Sequence, residues 1–157
     1  MRGNQNSSRQ GAKTRRDARL TLPVGYSKKS LVEKLGIKEG FAISIIGAPE
    51  NYAATLGKLP SGVKQTKKLE GPLDFVQFFC SKRSQLEENF QRLKSALSAS
   101  GMLWVSWPKS SSGAPTDLTE DVVRGIGLKN GLVDVKVCAV DEIWSGLKFV
   151  YRIKDRR

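Results

Sequence analysis

Between Leu73 and Trp107 the chain spells one complete strand–helix–strand unit. Leu73-Asp-Phe-Val-Gln-Phe-Phe-Cys80 is an apolar run of strand length. Ser84-Gln-Leu-Glu87 then forms a capping box, and Leu86, Phe90, Leu93 and Leu97 recur at spacings of four, three and four, one apolar stripe along a helix. Gly101 is placed to stop that helix, and Met102–Trp107 resumes as a strand. A unit of this kind buries the helix against the sheet that its own strands help to build, and that restricts the fold to layered α/β architectures.

The flanking segments extend the alternation. Ser30-Leu-Val-Glu33 reads as a capping box opening a short helix that Gly36 closes, and Phe41–Ile46 is a strand ended by Gly47. Pro49 suits the first position of a second short helix reaching Leu56. Val63–Leu69 reads as a Lys-bearing edge strand. After Trp107, Thr116 or Asp117 can cap a helix bearing Leu118, Val122, Val123 and Ile126, with Glu120 and Asp121 in its first turn. Leu132–Val140 and Leu147–Ile153 are two last strands joined by a short turn, an antiparallel hairpin. The expected fold is therefore α/β: a three-layer, Rossmann-like, mostly parallel sheet of about six strands with a C-terminal antiparallel hairpin. Its element order looks like the second half of methyltransferase-type Rossmann folds.

Charge divides the chain. Residues 1–29 carry a net +7, residues 30–147 carry +1, and residues 148–157 carry +4, within a total of +12. The expected organisation is a basic, disordered extension over 1–29, one α/β domain over 30–153, and a basic tail over 154–157. Arg9, Lys13, Arg15, Arg16 and Arg19 are the residues that could neutralise nucleic-acid phosphates. No apolar run reaches the length of a membrane span, and no signal-peptide core follows the first residues. Cys80 and Cys138 sit in apolar runs, as buried thiols of a reducing compartment do. With no histidine and no cysteine pair at ligand spacing, a transition-metal site is not expected. These features predict a cytoplasmic protein with no metal, no cofactor and no membrane partner.

Ligands of open α/β sheets bind outside the carboxyl ends of the parallel strands. Here those ends are Gly47-Ala-Pro-Glu-Asn51, Cys80-Ser-Lys-Arg83 and Ser106-Trp-Pro-Lys109 with its serine turn. The Asp141–Ser145 loop joins the same rim if the strand it follows, Leu132–Val140, runs parallel to the others. The first turn has only Gly47, and Pro49 removes a donor, so it lacks the Gly-rich cradle of a nucleotide-type cofactor site. Glu70 is the only stand-in for the acid such sites carry after their second strand. Trp104 belongs in the core. Trp107, on the opposite face, could lid the strand end beside Lys109 and Ser110, an anion-holding turn. Asp141 and Glu142, with Trp144 beside them, could do acid–base work, or simply cap the hairpin. Cys80 flanked by Lys82 and Arg83 reads better as a buried thiol than as a nucleophile.

The phrases WVSWPK, TDLTEDVVR and VCAVDEIWSGLKFV, within about residues 30–153, resemble a family of small, mainly bacterial proteins of the domain-of-unknown-function type (DUF3052-like). The resemblance implies a cytoplasmic Rossmann-like protein and carries no catalytic residue across. Three readings result. The first is a non-enzymatic module binding a small anion along the rim of Trp107, Lys109, Ser110, Asp117, Asp141, Glu142 and Trp144. The second is an enzyme on a small anionic metabolite, with Lys109 as anion holder and Asp141 or Asp117 as general base. The third is a nucleic-acid-associated protein acting through its basic ends.

Overall fold

The computed structural model describes residues 29–156. Helix α1 (Leu31–Leu35) begins at the expected capping box: Ser30 Oγ accepts from the Glu33 N–H at 3.2 Å, and the Glu33 carboxylate accepts from the Ser30 N–H at 2.9 Å. Strand β1 (Ala42–Ile46) leads to α2 (Tyr52–Leu56) and β2 (Lys64–Thr66). Strand β3 (Leu73–Phe79), α3 (Arg83–Ser95) and β4 (Leu97–Pro108) form the strand–helix–strand unit. A 3-10 turn at Ser110–Ser112, α4 (Glu120–Lys129), β5 (Leu132–Ala139) and β6 (Trp144–Tyr151) complete the fold, before a last 3-10 turn at Ile153–Asp155.

The six strands form one sheet in the order β2-β1-β3-β4-β6-β5. The pairs β2–β1, β1–β3 and β3–β4 are parallel, and β6 is antiparallel to both β4 and β5. Five strands therefore point the same way and β6 alone runs against them. The sheet order reverses between β1 and β3, the position at which open α/β sheets present a ligand crevice.

Side chains alternate between two cores, as a sheet covered on both faces requires. Leu86, Phe90 and Leu93 of α3 and Val123 and Ile126 of α4 pack with Val76, Leu103, Trp107 and Phe149 on one face. Val32 and Leu35 of α1 and Tyr52 and Leu56 of α2 pack with Ile43, Phe75, Phe79 and Trp104 on the other. Trp104 is fully buried, and its Nε1 donates to the Leu35 carbonyl at 2.9 Å, fastening α1 to the sheet.

Several local expectations are corrected. Pro49 does not open α2; its carbonyl accepts from the Tyr52 N–H in the preceding turn. Ser84 does not cap α3, because Gln85 Oε1 takes the Ser81 and Lys82 N–H groups and the helix begins at Arg83. Gly101 does not stop α3 either. The helix ends at Ser95, and Leu97, which fits the helical stripe, already pairs with Leu73 as the first residue of β4. The register then shifts before Met102 pairs with Phe75, and Gly101 lies in this irregular stretch, where an added Cβ would stand 2.7 Å from the Leu73 carbonyl. Helix α4 is capped by Thr119, whose Oγ1 accepts from the Val122 N–H, and not by Thr116 or Asp117.

Two glycines of α4 separate packing from propensity. A Cβ at Gly127 would overlap the buried Phe149 ring, whereas one at Gly125 meets nothing within 4 Å. Urea denaturation is predicted to show Gly125→Ala stabilising by about 0.5–1 kcal/mol through helix propensity. Gly127→Ala should destabilise by about 1–3 kcal/mol, because overpacking outweighs the same gain.

Candidate functional site

The carboxyl ends of β1, β3 and β4 form one rim, and the Asp141–Ile143 turn joins it because β5 is parallel to β4. The Lys109 N–H donates to the Ile143 carbonyl at 2.7 Å, so the segment after β4 and the β5–β6 turn are joined directly. The expected convergence of these two segments is a feature of the geometry.

Most polar groups at this rim are engaged within the chain. Asp141 Oδ1 accepts from the N–H groups of Ile143 and Trp144, both at 2.8 Å, which makes it the cap of the hairpin turn. Asp117 Oδ1 accepts from the Arg83 N–H at 2.6 Å, placing a carboxylate on the start of α3. Thr116 Oγ1 donates to the Ser81 carbonyl at 2.6 Å, clamping the same segment. Ser112 Oγ donates to the Lys109 carbonyl at 2.6 Å, and the Ser112 and Gly113 N–H groups close the serine turn on itself. Ser110 and Glu142 are exposed, and Lys109 is half-exposed, its ammonium having no hydrogen-bond or ion-pair partner among the described residues.

The tryptophans differ from the expected arrangement. Trp107, read as a lid, is only 4% exposed and belongs to the α3/α4-side core, so it offers no ligand surface. Trp144 is half-buried on the other face, and its ring stands edge-on to Phe79 at 5.1 Å. Phe79 in turn stands edge-on to Tyr52 at 4.8 Å. Tyr52 Oη donates to Gln77 Oε1 at 2.6 Å, and Gln77 Nε2 donates to Ser106 Oγ at 3.1 Å. This buried polar line was not identified from sequence, although Gln77 and Ser106 interrupt apolar runs and so signal a satisfied polar pair. Burial pushes the Tyr52 hydroxyl well above the ordinary tyrosine range.

Cys80 is buried, and desolvation pushes its thiol up to about 12, with the Asp117 charge adding to the shift. Lys82 and Arg83 are exposed and do not reverse that. No group of three or more His, Cys, Asp or Glu side chains suited to a metal ion occurs among the described residues. Sequence reasoning also missed a cleft of about 270 Å³ between α2 and the β1–β2 edge, lined by Ile45, Pro49, Glu50, Tyr52, Leu56 and Gln65 among others. Glu50 is its only charged lining group, which disfavours an anion there. Arg9, Lys13, Arg15, Arg16 and Arg19 lie outside the described residues. No helix among the described residues is long and apolar enough to cross a membrane.

The sheet order and layers define an α/β, methyltransferase-like Rossmann fold with an antiparallel C-terminal part. Solved structures of that class superpose on the chain. A precorrin-6y C5,15-methyltransferase from Geobacter metallireducens matches with a TM-score of 0.52 at 11% identity, over 78% of this chain and 86% of that one. The Methanococcus jannaschii fibrillarin pre-rRNA processing protein matches at 0.51 and 13%, over 80% and 74%. Magnesium protoporphyrin IX methyltransferase from Synechocystis, solved with bound SAM, matches at 0.50 and 13%, over 78% and 74%. No protein-family model and no curated protein sequence matches the chain.

The residues at the switch point do not fit the cofactor that this fold class implies. Gly47, at φ +75°, lies so close to β3 that an added Cβ would stand 2.7 Å from the Phe79 carbonyl, and it is the one glycine of a turn that continues Ala48-Pro49-Glu50, so the Gly-rich cradle is missing. Beyond it the Tyr52–Phe79–Trp144 rings fill the α1/α2 side of the edge. Strand β2 ends at Thr66, followed by Lys67 and Lys68, and Glu70 is exposed on the link to β3.

Two acids in one turn should separate by stability. Asp141→Ala is predicted to lower unfolding free energy by about 1–3 kcal/mol, since it strips the acceptor from two N–H groups. Glu142→Ala should change it by less than about 0.5 kcal/mol. Chemical denaturation of both variants checks this. The Cys80 shift has a definite sign as well. An unfolded thiol ionises near its ordinary value of 9.0, while the folded one stays protonated to about 12. The unfolded state therefore loses its proton first, and denaturant midpoints should fall as pH rises above 9, less steeply in Cys80→Ala.

Proposed function

We propose that the chain is a non-enzymatic binding module on a methyltransferase-like scaffold, taking a small anion at the joined rim of Lys109, Ser110 and the Asp141–Trp144 turn. The observation that carries this reading is the pattern of engagement at the strand ends. The turn after β1 carries Gly47 alone in place of a Gly-rich cradle, the carboxylates of Asp117 and Asp141 each hold backbone N–H groups, and the Lys109 ammonium has no partner among the described residues. A general base needs a free carboxylate within reach of a substrate proton, and both proposed bases already serve as caps. Cys80, buried and protonated at neutral pH, supplies no nucleophile.

The enzyme reading draws on the fold of the structural neighbours and on nothing at this rim. A cytoplasmic location and membership of the DUF3052-like family belong to the same proposal; they rest on the apolar setting of both cysteines and on the WVSWPK and TDLTEDVVR phrases.

Thermal denaturation with millimolar inorganic pyrophosphate or citrate tests the module. At least one of these anions should raise the melting temperature of the full chain by about 2 °C or more. Lys109→Ala should remove that shift while leaving the unliganded melting temperature within about 1 °C. A shift that survives in Lys109→Ala, or none with either anion, would overturn the reading. Turnover of a bound anion would favour the enzyme instead.

A further inference from the structure

The face of β5 and β6 on the α1/α2 side carries a second, different cationic feature. Lys136 and Lys148 are direct cross-strand partners. Like charges placed opposite one another in an antiparallel pair destabilise the sheet, so this pairing needs an explanation outside the folded chain. Lys148 also pairs with Trp104, whose indole holds the last carbonyl of α1. That contact sets α1 beside the two strands, bringing Lys34 and Lys38 to the same side. The electrostatics agree with this placement: the Lys148 ammonium is held below the usual lysine range by burial and by Lys136 and Lys38, and Cys138 on the same face senses Lys34, Lys136 and Lys109.

No acid answers these charges. Among the described residues the ion pairs are Arg83–Glu87 and Arg124 with Glu120, Asp121 and Asp134. All of them involve α3, or α4 with the β5 side chain facing it, on the other side of the sheet. Glu33 is bonded to Ser30, and none of the four lysine ammonium groups has a hydrogen bond or ion pair among the described residues.

We infer that this face, built by Lys34, Lys38, Lys136 and Lys148, binds the phosphate backbone of single-stranded nucleic acid. The strip is two strands wide, about 10 Å, and the four residue steps from Trp144 to Lys148 span about 14 Å. Those dimensions suit one extended backbone rather than a duplex. Half-buried Trp144 at the upper end supplies a ring for a base to stack on, the combination sequence-tolerant single-strand binders use. The exposed apolar groups do not form one patch with these lysines: Leu128 is on α4, Val137 lies opposite Leu147 on the α3/α4 side, Ile143 is at the rim and Ile153 follows β6, which leaves Val135, in the β5 register shift, as the one beside Lys136. The surface meets the anion site proposed at Lys109 in Trp144 but rests on different lysines, so variants at Lys109 and at Lys136 with Lys148 test the two separately.

Fluorescence anisotropy of a labelled 20-nucleotide polyuridine RNA with the full chain, between 50 and 200 mM salt, tests the inference. Lys136→Gln with Lys148→Gln should weaken binding at least fivefold at 50 mM salt. It should also reduce the salt slope by about 1.4, the loss of two single-strand phosphate contacts. Its melting temperature should equal or exceed that of the wild type, since the cross-strand repulsion is gone. Lys64→Gln with Lys67→Gln, removing the same charge at the far edge of the sheet, should change affinity less than twofold. Equal weakening by both pairs would overturn the inference and assign binding to overall charge. Absence of RNA binding by the wild type at 50 mM salt would overturn it too, as would binding to phosphatidylserine vesicles in place of RNA.

Discussion

Gln77 sits fully buried at the centre of the sheet and is satisfied from two sides, by Tyr52 Oη of α2 and Ser106 Oγ of β4. A buried amide without partners is costly, so this side chain dictates where α2 can lie. Once Tyr52 is held there, its ring meets Phe79, and Phe79 meets Trp144. One fully buried polar residue of β3 thus holds a helix of only five residues on the sheet and sets a row of aromatic rings near the strand ends. The closed rim, and with it the reading of a scaffold without its fold's usual cofactor site, depends on that line.

The two faces of the sheet then take different roles. On the α3/α4 side, helices and strands bury a continuous core and the ion pairs gather around Arg83 and Arg124. On the α1/α2 side, two short helices cover β1, β3 and β4, and β5–β6 is left with lysines facing one another. The parallel strands end at a rim whose carboxylates stabilise turns and whose remaining cation is Lys109. The division leaves lysines on the β5–β6 face and at the rim.

Much of the fold could be read from periodicity and capping chemistry. The Ser30–Glu33 box, the stripe of Leu86, Phe90 and Leu93, the edge position of β2 and the final hairpin all follow local rules. The Pro49 and Ser84 misreadings are local shifts of a helix start, but three others share one physical cause, packing and pairing across long sequence separations. Leu97 fits the helical spacing, but its backbone is claimed by Leu73. Asp117 looks like a cap for the helix that follows it, yet its carboxylate holds Arg83, 34 residues earlier. Trp107 stands at a strand end and would be a lid on a bare sheet, but α3 and α4 cover it. At the site, the meeting of the Lys109 and Asp141 segments was legible because topology alone brings them together. The Tyr52–Gln77–Ser106 line was not, since no local spacing relates those three positions.

The central claim is that the chain's own side chains fill the place where this fold class takes its cofactor. Isothermal titration of the full chain with S-adenosylmethionine, followed by amide NMR at the highest concentration reached, measures this directly. The account predicts no saturable heat up to millimolar ligand and no displacement of the Gly47, Phe79 or Trp144 amide signals. Micromolar binding accompanied by shifts at those three residues would contradict it.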